Sequence, residues 1–385
     1  MITYLDHAAT TPLRPEVAQA MADAQAEPLG NPTGSHRPAQ RARRLLEESR
    51  DEVADFLGRS PREIVFTSGG TESANLAVFG LLSEGIDDGR AQSVVCSAIE
   101  HPAVLESCRA VAKSGVDVLE LAVDASGVVQ LDALEKSMEQ RPVFVAVMTA
   151  NNETGVVQPL VDVVTLVRST NDMTCVVTDA VQATPFLDLS ELTSASDLVA
   201  LSAHKVGGPV GVGVLAAGPR ANLRALHYGG GQEQDRRSGT QNVVGAVGLA
   251  TALRLAAQER QVMTVRVAGL RDRLADGLLG AIESVHRTVP VGVPVLPGHL
   301  HVCLSGIERE ELLVALGEHG VCASGGSSCA SGALQPSHVL SAMGVPADLS
   351  QGAIRFTLGR DTSEADIDRA LAIVPEVVGR LRHRS

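Results

Sequence analysis

Seven short runs along the chain are largely apolar on both faces: residues 64–67, 93–97, 116–121, 143–148, 174–178, 198–202 and 213–216. Runs of this kind are the pattern of strands covered on two sides. Helical periods lie between most of them, for example at 72–82, 102–113 and 160–169. Strand–helix alternation predicts an α/β domain built on a mainly parallel seven-stranded sheet. The stretch 14–27 is helical and leads into the loop Gly30-Asn-Pro-Thr-Gly-Ser35.

The pattern changes after residue 242. From 242 to about 283 it reads as two long helices with few breakers. Strand-like stretches follow at 300–304 and 353–358, with helices at 309–319 and 363–380. That order predicts a smaller α+β domain. We place the large domain at residues 14–260, with its boundary inside a long helix. Residues 1–13 and 261–385 form the small domain. No internal repeat or Pro-rich linker interrupts the chain.

Composition narrows the function. Of 385 residues, 44% are apolar and 20% charged, which is the balance of a globular protein with a sizeable core. Aromatics are 2%, so a nucleic-acid platform of stacked rings is excluded. The 32 basic and 45 acidic residues leave a net charge of −13. Such a surface repels phosphate backbones, so no direct nucleic-acid partner is expected; it would suit a basic protein partner. No stretch is apolar enough to span a membrane, and the opening Met1-Ile-Thr-Tyr-Leu-Asp-His7 lacks the basic start and apolar core of a signal peptide. The expected location is the cytoplasm.

The six cysteines, Cys96, Cys108, Cys175, Cys303, Cys322 and Cys329, form no C-x-x-C pair and no zinc spacing. Several sit in apolar runs as small core residues. His299 and His301 lie two apart on a strand, but no carboxylate or cysteine cluster accompanies them, and no metal is expected.

Three segments carry candidate chemistry. Thr67-Ser-Gly-Gly-Thr-Glu-Ser73 follows a strand and opens a helix. Its glycines admit close approach, and a helix start offers free N–H groups to a phosphate. An ordinary turn capped by Thr71 reads the same way. Ser202-Ala-His-Lys205 leaves a buried strand, where desolvation would lower the lysine pKa and free its amine as a nucleophile. A solvated loop lysine is the plain alternative. Asp179 ends a parallel-type strand, where it could hold a ring nitrogen protonated or merely cap a turn. Together a lysine, a ring-pairing aspartate and a phosphate-binding helix start are what pyridoxal 5'-phosphate requires.

At this point the sequence resembles the cysteine desulfurases of the NifS/IscS type, within the class-V aminotransferase group. The resemblance runs from Tyr4-Leu-Asp-His-Ala-Ala-Thr-Thr-Pro12 to Ile354-Arg-Phe-Thr-Leu-Gly-Arg360. Seven motifs match in order between them: Ser68-Gly-Gly-Thr-Glu72, Glu100-His101, Asn151-Asn-Glu-Thr-Gly155, Asp179-Ala-Val-Gln182, Ser202-Ala-His-Lys205, Arg237-Ser-Gly-Thr240 and Ser324-Gly-Gly-Ser-Ser-Cys329. The resemblance implies fold type I of the pyridoxal phosphate enzymes.

It also implies roles. Lys205 would form the Schiff base and then move protons. Asp179 would pair with the pyridine nitrogen, and Gln182 would bond the phenolate oxygen. His101 would lie over the ring and assist proton transfer. Gly70, Thr71, Ser202 and His204 would hold the phosphate. Thr240 would reach the phosphate of a neighbouring subunit, which implies a homodimer with shared active sites. Asn152, also beside the cofactor, and Arg355 would hold the substrate carboxylate, the latter by its planar fork. Duller roles stand beside these: a helix cap for His101, a buried ion pair for Arg355, plain loop polar groups for His204 and Thr240.

Cys329 is the expected sulfur nucleophile. It lies in Ser324-Gly-Gly-Ser-Ser-Cys-Ala-Ser-Gly332, whose three glycines and four serines predict a polar loop at about 322–335 rather than a packed strand. Cys322, next to Val321 on a strand entering the loop, is read as structural. Ser328 stands where the family commonly has alanine. The loop resembles the longer, mobile version that carries persulfide outward.

The implied reaction converts L-cysteine to L-alanine and leaves a persulfide on Cys329 for a sulfur-acceptor protein. Iron–sulfur cluster assembly is the default pathway, with tRNA thiolation and DNA phosphorothioation as alternatives. A selenocysteine lyase or another class-V aminotransferase would share the lysine pocket, and a cofactor-binding scaffold would bind without turnover.

Overall fold

The computed structural model describes residues 2–87, 93–326 and 337–383. The elements run β1 (Thr3–Tyr4), α1 (Pro15–Gln25), α2 (Arg37–Leu57), β2 (Ile64–Thr67), α3 (Gly70–Asp87), β3 (Ser93–Ser97), α4 (Pro102–Ala112) and β4 (Asp117–Leu121). Next come α5 (Leu131–Ser137), β5 (Phe144–Ala146), α6 (Leu160–Thr170), β6 (Cys175–Asp179), α7 (Leu189–Leu192), β7 (Leu198–Ser202), β8 (Gly213–Ala217) and α8 (Val243–Ala281). The chain closes with β9 (Val285–Arg287), β10 (His299–Leu304), α9 (Arg309–Glu318), β11 (Val321–Cys322), α10 (His338–Ala342), α11 (Ala347–Ser350), β12 (Ala353–Thr357) and α12 (Glu364–Arg382).

The seven expected runs form one sheet in the order β2-β8-β7-β6-β5-β3-β4. Only β8 runs against its neighbours; the other pairings are parallel. Successive residues feed opposite cores, as the two-residue strand period demands: Val94 and Cys96 pack with α3 and α4 residues, Val95 with α5 and α6 residues. The run at 143–148 is shorter than expected. The Met148 N–H leaves the ladder and donates to the Glu100 carboxylate at 2.6 Å, so β5 ends at Ala146.

The stretch read as two helices is one, the 39-residue α8. It contains no proline, and two of its glycines, Gly248 and Gly277, are approach points for other helices, while Gly269 and Gly280 face open space. A Cβ on Gly248 would come 2.8 Å from Met21 Sδ of α1, and one on Gly277 2.4 Å from Leu371 of α12. Tertiary packing holds the helix straight through positions whose intrinsic propensity is poor.

Beyond α8, strands β12-β10-β9 make an antiparallel sheet. The chain start joins this end: β1 pairs with β11 in parallel, and Asp6 bridges Thr357. No helix among the described residues is long and apolar enough to cross a membrane.

Candidate active site

The carboxyl ends of β2, β3, β5, β6 and β7 share one edge of the sheet, the edge where parallel α/β sheets hold ligands. A cavity of about 660 Å³ opens there, lined by Gly70, Thr71, His101, Met148, Asn152, Asp179, Val181, Gln182, Ser202, His204 and Lys205. Every residue expected to touch the cofactor lines it, except Thr240. Thr240 stands exposed on the chain between β8 and α8, outside this cavity.

Lys205 follows β7 in a single 3-10 turn, Ala203–Lys205. Its Nζ donates to the carbonyls of Ala8 and Ala9 at 2.6 and 2.7 Å. Burial and the nearby Arg355 guanidinium lower its pKa from 10.5 to about 8, against the pull of Asp179 and Asp6. An amine so perturbed is partly neutral, hence nucleophilic, near physiological pH. The N-terminal strap fixes this turn: the Thr11 N–H and hydroxyl donate to the His204 carbonyl, and the Gly207 N–H donates to the Thr11 hydroxyl at 2.7 Å.

Asp179 ends β6. One carboxylate oxygen accepts the Val181 N–H at 2.9 Å. Burial pushes its carboxyl up, and His101, that N–H and Lys205 pull it back. A desolvated carboxylate in a cavity wall favours a cationic partner. Beside it, Glu100 is raised well above the usual carboxylate range by burial and by the Asp179 charge.

His101 caps α4. Its Nδ1 accepts the Ala103 N–H at 3.1 Å, so the neutral ring carries its proton on Nε2. Burial lowers its pKa despite Asp179, which keeps it neutral. The cap and the cavity wall are therefore the same residue. Gln182 Nε2 donates to the Ala8 carbonyl at 2.9 Å. His204 is held near 4 by burial and by Lys205, so it offers a hydrogen bond rather than a charge.

At the other end of the cavity α3 begins at Gly70, with Ser202 facing it across the sheet edge. Thr71 lies inside the first turn rather than at the cap. The opening amides of a helix lack carbonyl partners within it. A Cβ on Gly70 would lie 3.1 Å from Val181 Cγ2, so glycine keeps the cradle open. A helix start with free amides, a desolvated carboxylate and a lysine of lowered pKa in one cavity fit pyridoxal phosphate.

Arg355 is buried on β12, beside the cavity rather than among its lining residues. It donates to the Asn152 carbonyl at 2.7 Å and to Asp6 at 2.8 Å, while its Nε has no partner. The ion pair raised as its duller role is thus present. Cys329 lies outside the described residues. Cys322 ends β11 and is half-buried; Cys96, Cys108, Cys175 and Cys303 are buried free thiols.

Sequence reasoning quoted Tyr4–Pro12 as a motif but assigned it no role, and so missed the carbonyls that hold Lys205. It also assigned nothing to Glu100 or Glu153, both fully buried carboxyls within matched motifs. A charge beside an apolar strand end was the available signal.

Comparison with known proteins agrees with this geometry. The class-V aminotransferase family matches residues 3–370. The chain is 38% identical to "Cysteine desulfurase IscS" of Methanosarcina thermophila, over 99% of this chain and 93% of that one. It is 39% identical to "IscS-like cysteine desulfurase" of Mycobacterium tuberculosis, over 99% and 97%. A solved "NifS-like protein" superposes with a TM-score of 0.91 at 36% identity, covering 99% of this chain and all of the other.

Proposed function

We propose a function from one premise: the chain belongs to the class-V aminotransferase family, in its cysteine desulfurase branch. It is a pyridoxal phosphate-dependent cysteine desulfurase that takes L-cysteine to L-alanine and passes the sulfur to an acceptor. The observation that carries this reading is the meeting of Lys205, Asp179 and His101 at the ends of three strands in one cavity.

When bound, pyridoxal phosphate supplies an aldehyde that condenses with amines and a ring that accepts an electron pair from the substrate's α-carbon. The rest falls to this chain. Gly70, Thr71, Ser202 and His204 hold the phosphate, with Thr240 of a second copy completing that shell in a homodimer. Asp179 keeps the ring nitrogen protonated, and Gln182 bonds the phenolate oxygen. Lys205 takes the α-proton and returns it, and His101 assists from its Nε2 side. Asn152 and Arg355 hold the substrate carboxylate. Asp6 pairs with the same guanidinium at 2.8 Å and so holds its fork in place beside the cavity.

The Cys329 thiolate then attacks the substrate sulfur. The new S–S bond forms as the carbon–sulfur bond breaks, and its electron pair returns to the three-carbon fragment. That fragment takes up protons and leaves as alanine, with the sulfur kept as a persulfide on Cys329. The buried free thiols suit a reducing compartment, and we place the protein in the cytoplasm. Iron–sulfur cluster assembly is the pathway that similarity to IscS-named relatives supports. Cys329→Ser tests the scheme: the variant keeps the bound-cofactor absorbance and releases no sulfide from L-cysteine. Sulfide at the parental rate would remove Cys329 from it.

A further inference from the structure

Of the motif Asn151-Asn-Glu-Thr-Gly155, the reaction above uses only Asn152. The turn is organised by Asn151, whose Oδ1 accepts the N–H groups of Glu153 and Thr154 at 2.9 Å and the Thr154 hydroxyl at 3.1 Å. Asn152 is thereby presented to the cavity, and Glu153 is left buried on the same turn.

We propose that Glu153 is a positioning residue for the segment carrying Cys329, because one described end of that segment is hydrogen-bonded to its carboxylate and the other packs against it. On the far side, the Ser337 hydroxyl donates to Glu153 Oε2 at 2.6 Å. The same hydroxyl accepts the Leu340 N–H and so starts α10. His338 Nε2 meets the Glu100 carbonyl at 2.9 Å next to it. On the near side, Gly326 has φ +87°, and a Cβ there would lie 2.9 Å from the same Oε2. The backbone therefore rests against the carboxylate. Two residues earlier, Ser324 and Arg355 exchange backbone hydrogen bonds at 3.1 and 2.6 Å. One turn thus joins the substrate-facing Asn152, the Arg355 strand and both ends of the sulfur-bearing segment.

The chemistry of the residue argues against simple filling. Burial pushes the Glu153 carboxyl up; the Ser337 hydroxyl and the charges of His338, Arg355 and Arg309 pull it down. No ion pair among the described residues includes it. A buried carboxylate without a direct cation costs more than an amide or an apolar side chain of the same shape.

The inference rests on Cys329 being the sulfur acceptor. The experiment uses the holoenzyme and the variants Glu153→Gln and Ser337→Ala, which keep size or remove a single hydroxyl. Both retain the bound-cofactor absorbance and its change on adding L-cysteine, with apparent affinity within about twofold. Single-turnover persulfide formation on Cys329, followed by mass spectrometry, falls about tenfold in Ser337→Ala, which loses the bond, and a few-fold in Glu153→Gln, whose amide oxygen still accepts it. Backbone hydrogen exchange quickens at 322–326 and 337–342 and stays unchanged around Lys205. Persulfide formation at the parental rate in both variants would overturn the proposal. So would loss of the cofactor absorbance, since Glu153 would then serve the pocket itself. If the parental protein forms no persulfide on Cys329, the underlying reaction fails instead.

Discussion

Asp179, Ser202 and Lys205 stand at or just beyond the ends of β6 and β7, and the backbone ladder of the sheet sets their spacing. Asn152 and Glu153 stand on a turn that one side chain, Asn151, holds from within. The floor of the cavity is thus fixed by the sheet ladder, while its rim is a turn closed by a short backbone bridge, Ala150 against Val157, and braced by the Asn151 side chain. The difference matches the tasks. Groups that act on the cofactor need one geometry throughout. Under the proposed reaction, groups that meet the substrate carboxylate and the arriving thiol form and release contacts in each turnover; Arg355, ion-paired to Asp6, is the residue proposed for the carboxylate.

Substitutions can break that comparison. The largest effect belongs to the floor. Lys205→Ala removes the only amine among the described residues that line the cavity and lowers alanine formation by about 10³-fold or more. Borohydride treatment then leaves no cofactor attached to the chain. Covalent retention in the variant would mean another lysine serves. Asp179→Asn comes next. It keeps an oxygen for the Val181 N–H but loses the charge, and kcat falls about 10²-fold with the pocket still loaded. Wild-type kcat would detach Asp179 from the ring.

The rim predicts a different profile. Asn151→Ala strands two buried N–H groups and the Thr154 hydroxyl, each worth about 1–3 kcal/mol when left unpaired. Urea unfolding then shows lost stability, and the KM for L-cysteine rises while cofactor absorbance is retained. Unchanged stability would show that the rim, too, is held by the backbone ladder.

The smallest effect sharpens the floor itself. With a pKa of about 8, roughly a tenth of the Lys205 amines are neutral at pH 7, against fewer than about one in a thousand at the ordinary 10.5. The folded protein disfavours the charged form, so the reactive fraction grows as pH rises and levels off above 8. Stopped-flow capture of pyridoxal phosphate by the apoprotein follows that curve. A midpoint near 10.5 would place Lys205 in solvent.

The legibility of the sequence divides along the same line. The inner strands were readable because a strand covered on both faces must be largely apolar, β4 at the sheet edge carrying exposed Asp117 and Glu120, and Asp179 and Lys205 stood out as charges at the ends of such runs. Of the rim, Asn152 and Arg355 came through the resemblance, but Glu153 and the partners of these residues were not readable. Glu153 meets Ser337 across 184 positions, and Arg355 meets Asp6 across 349. No local period marks contacts of that range. Lys205 is held by the carbonyls of Ala8 and Ala9, and a backbone acceptor has no residue type to betray it. The single α8 was hidden for a related reason: two of the glycines that weaken a helix alone are where other helices press upon it.

The central claim is that this pocket cleaves the carbon–sulfur bond of cysteine and leaves the sulfur on Cys329. Its most direct test is one turnover of the loaded protein with L-cysteine in the absence of reductant and acceptor. Alanine is quantified beside the mass of the peptide containing Cys329. The account predicts one alanine for each sulfur atom added to that peptide; alanine without added sulfur there, or added sulfur on Cys322 instead, would contradict it.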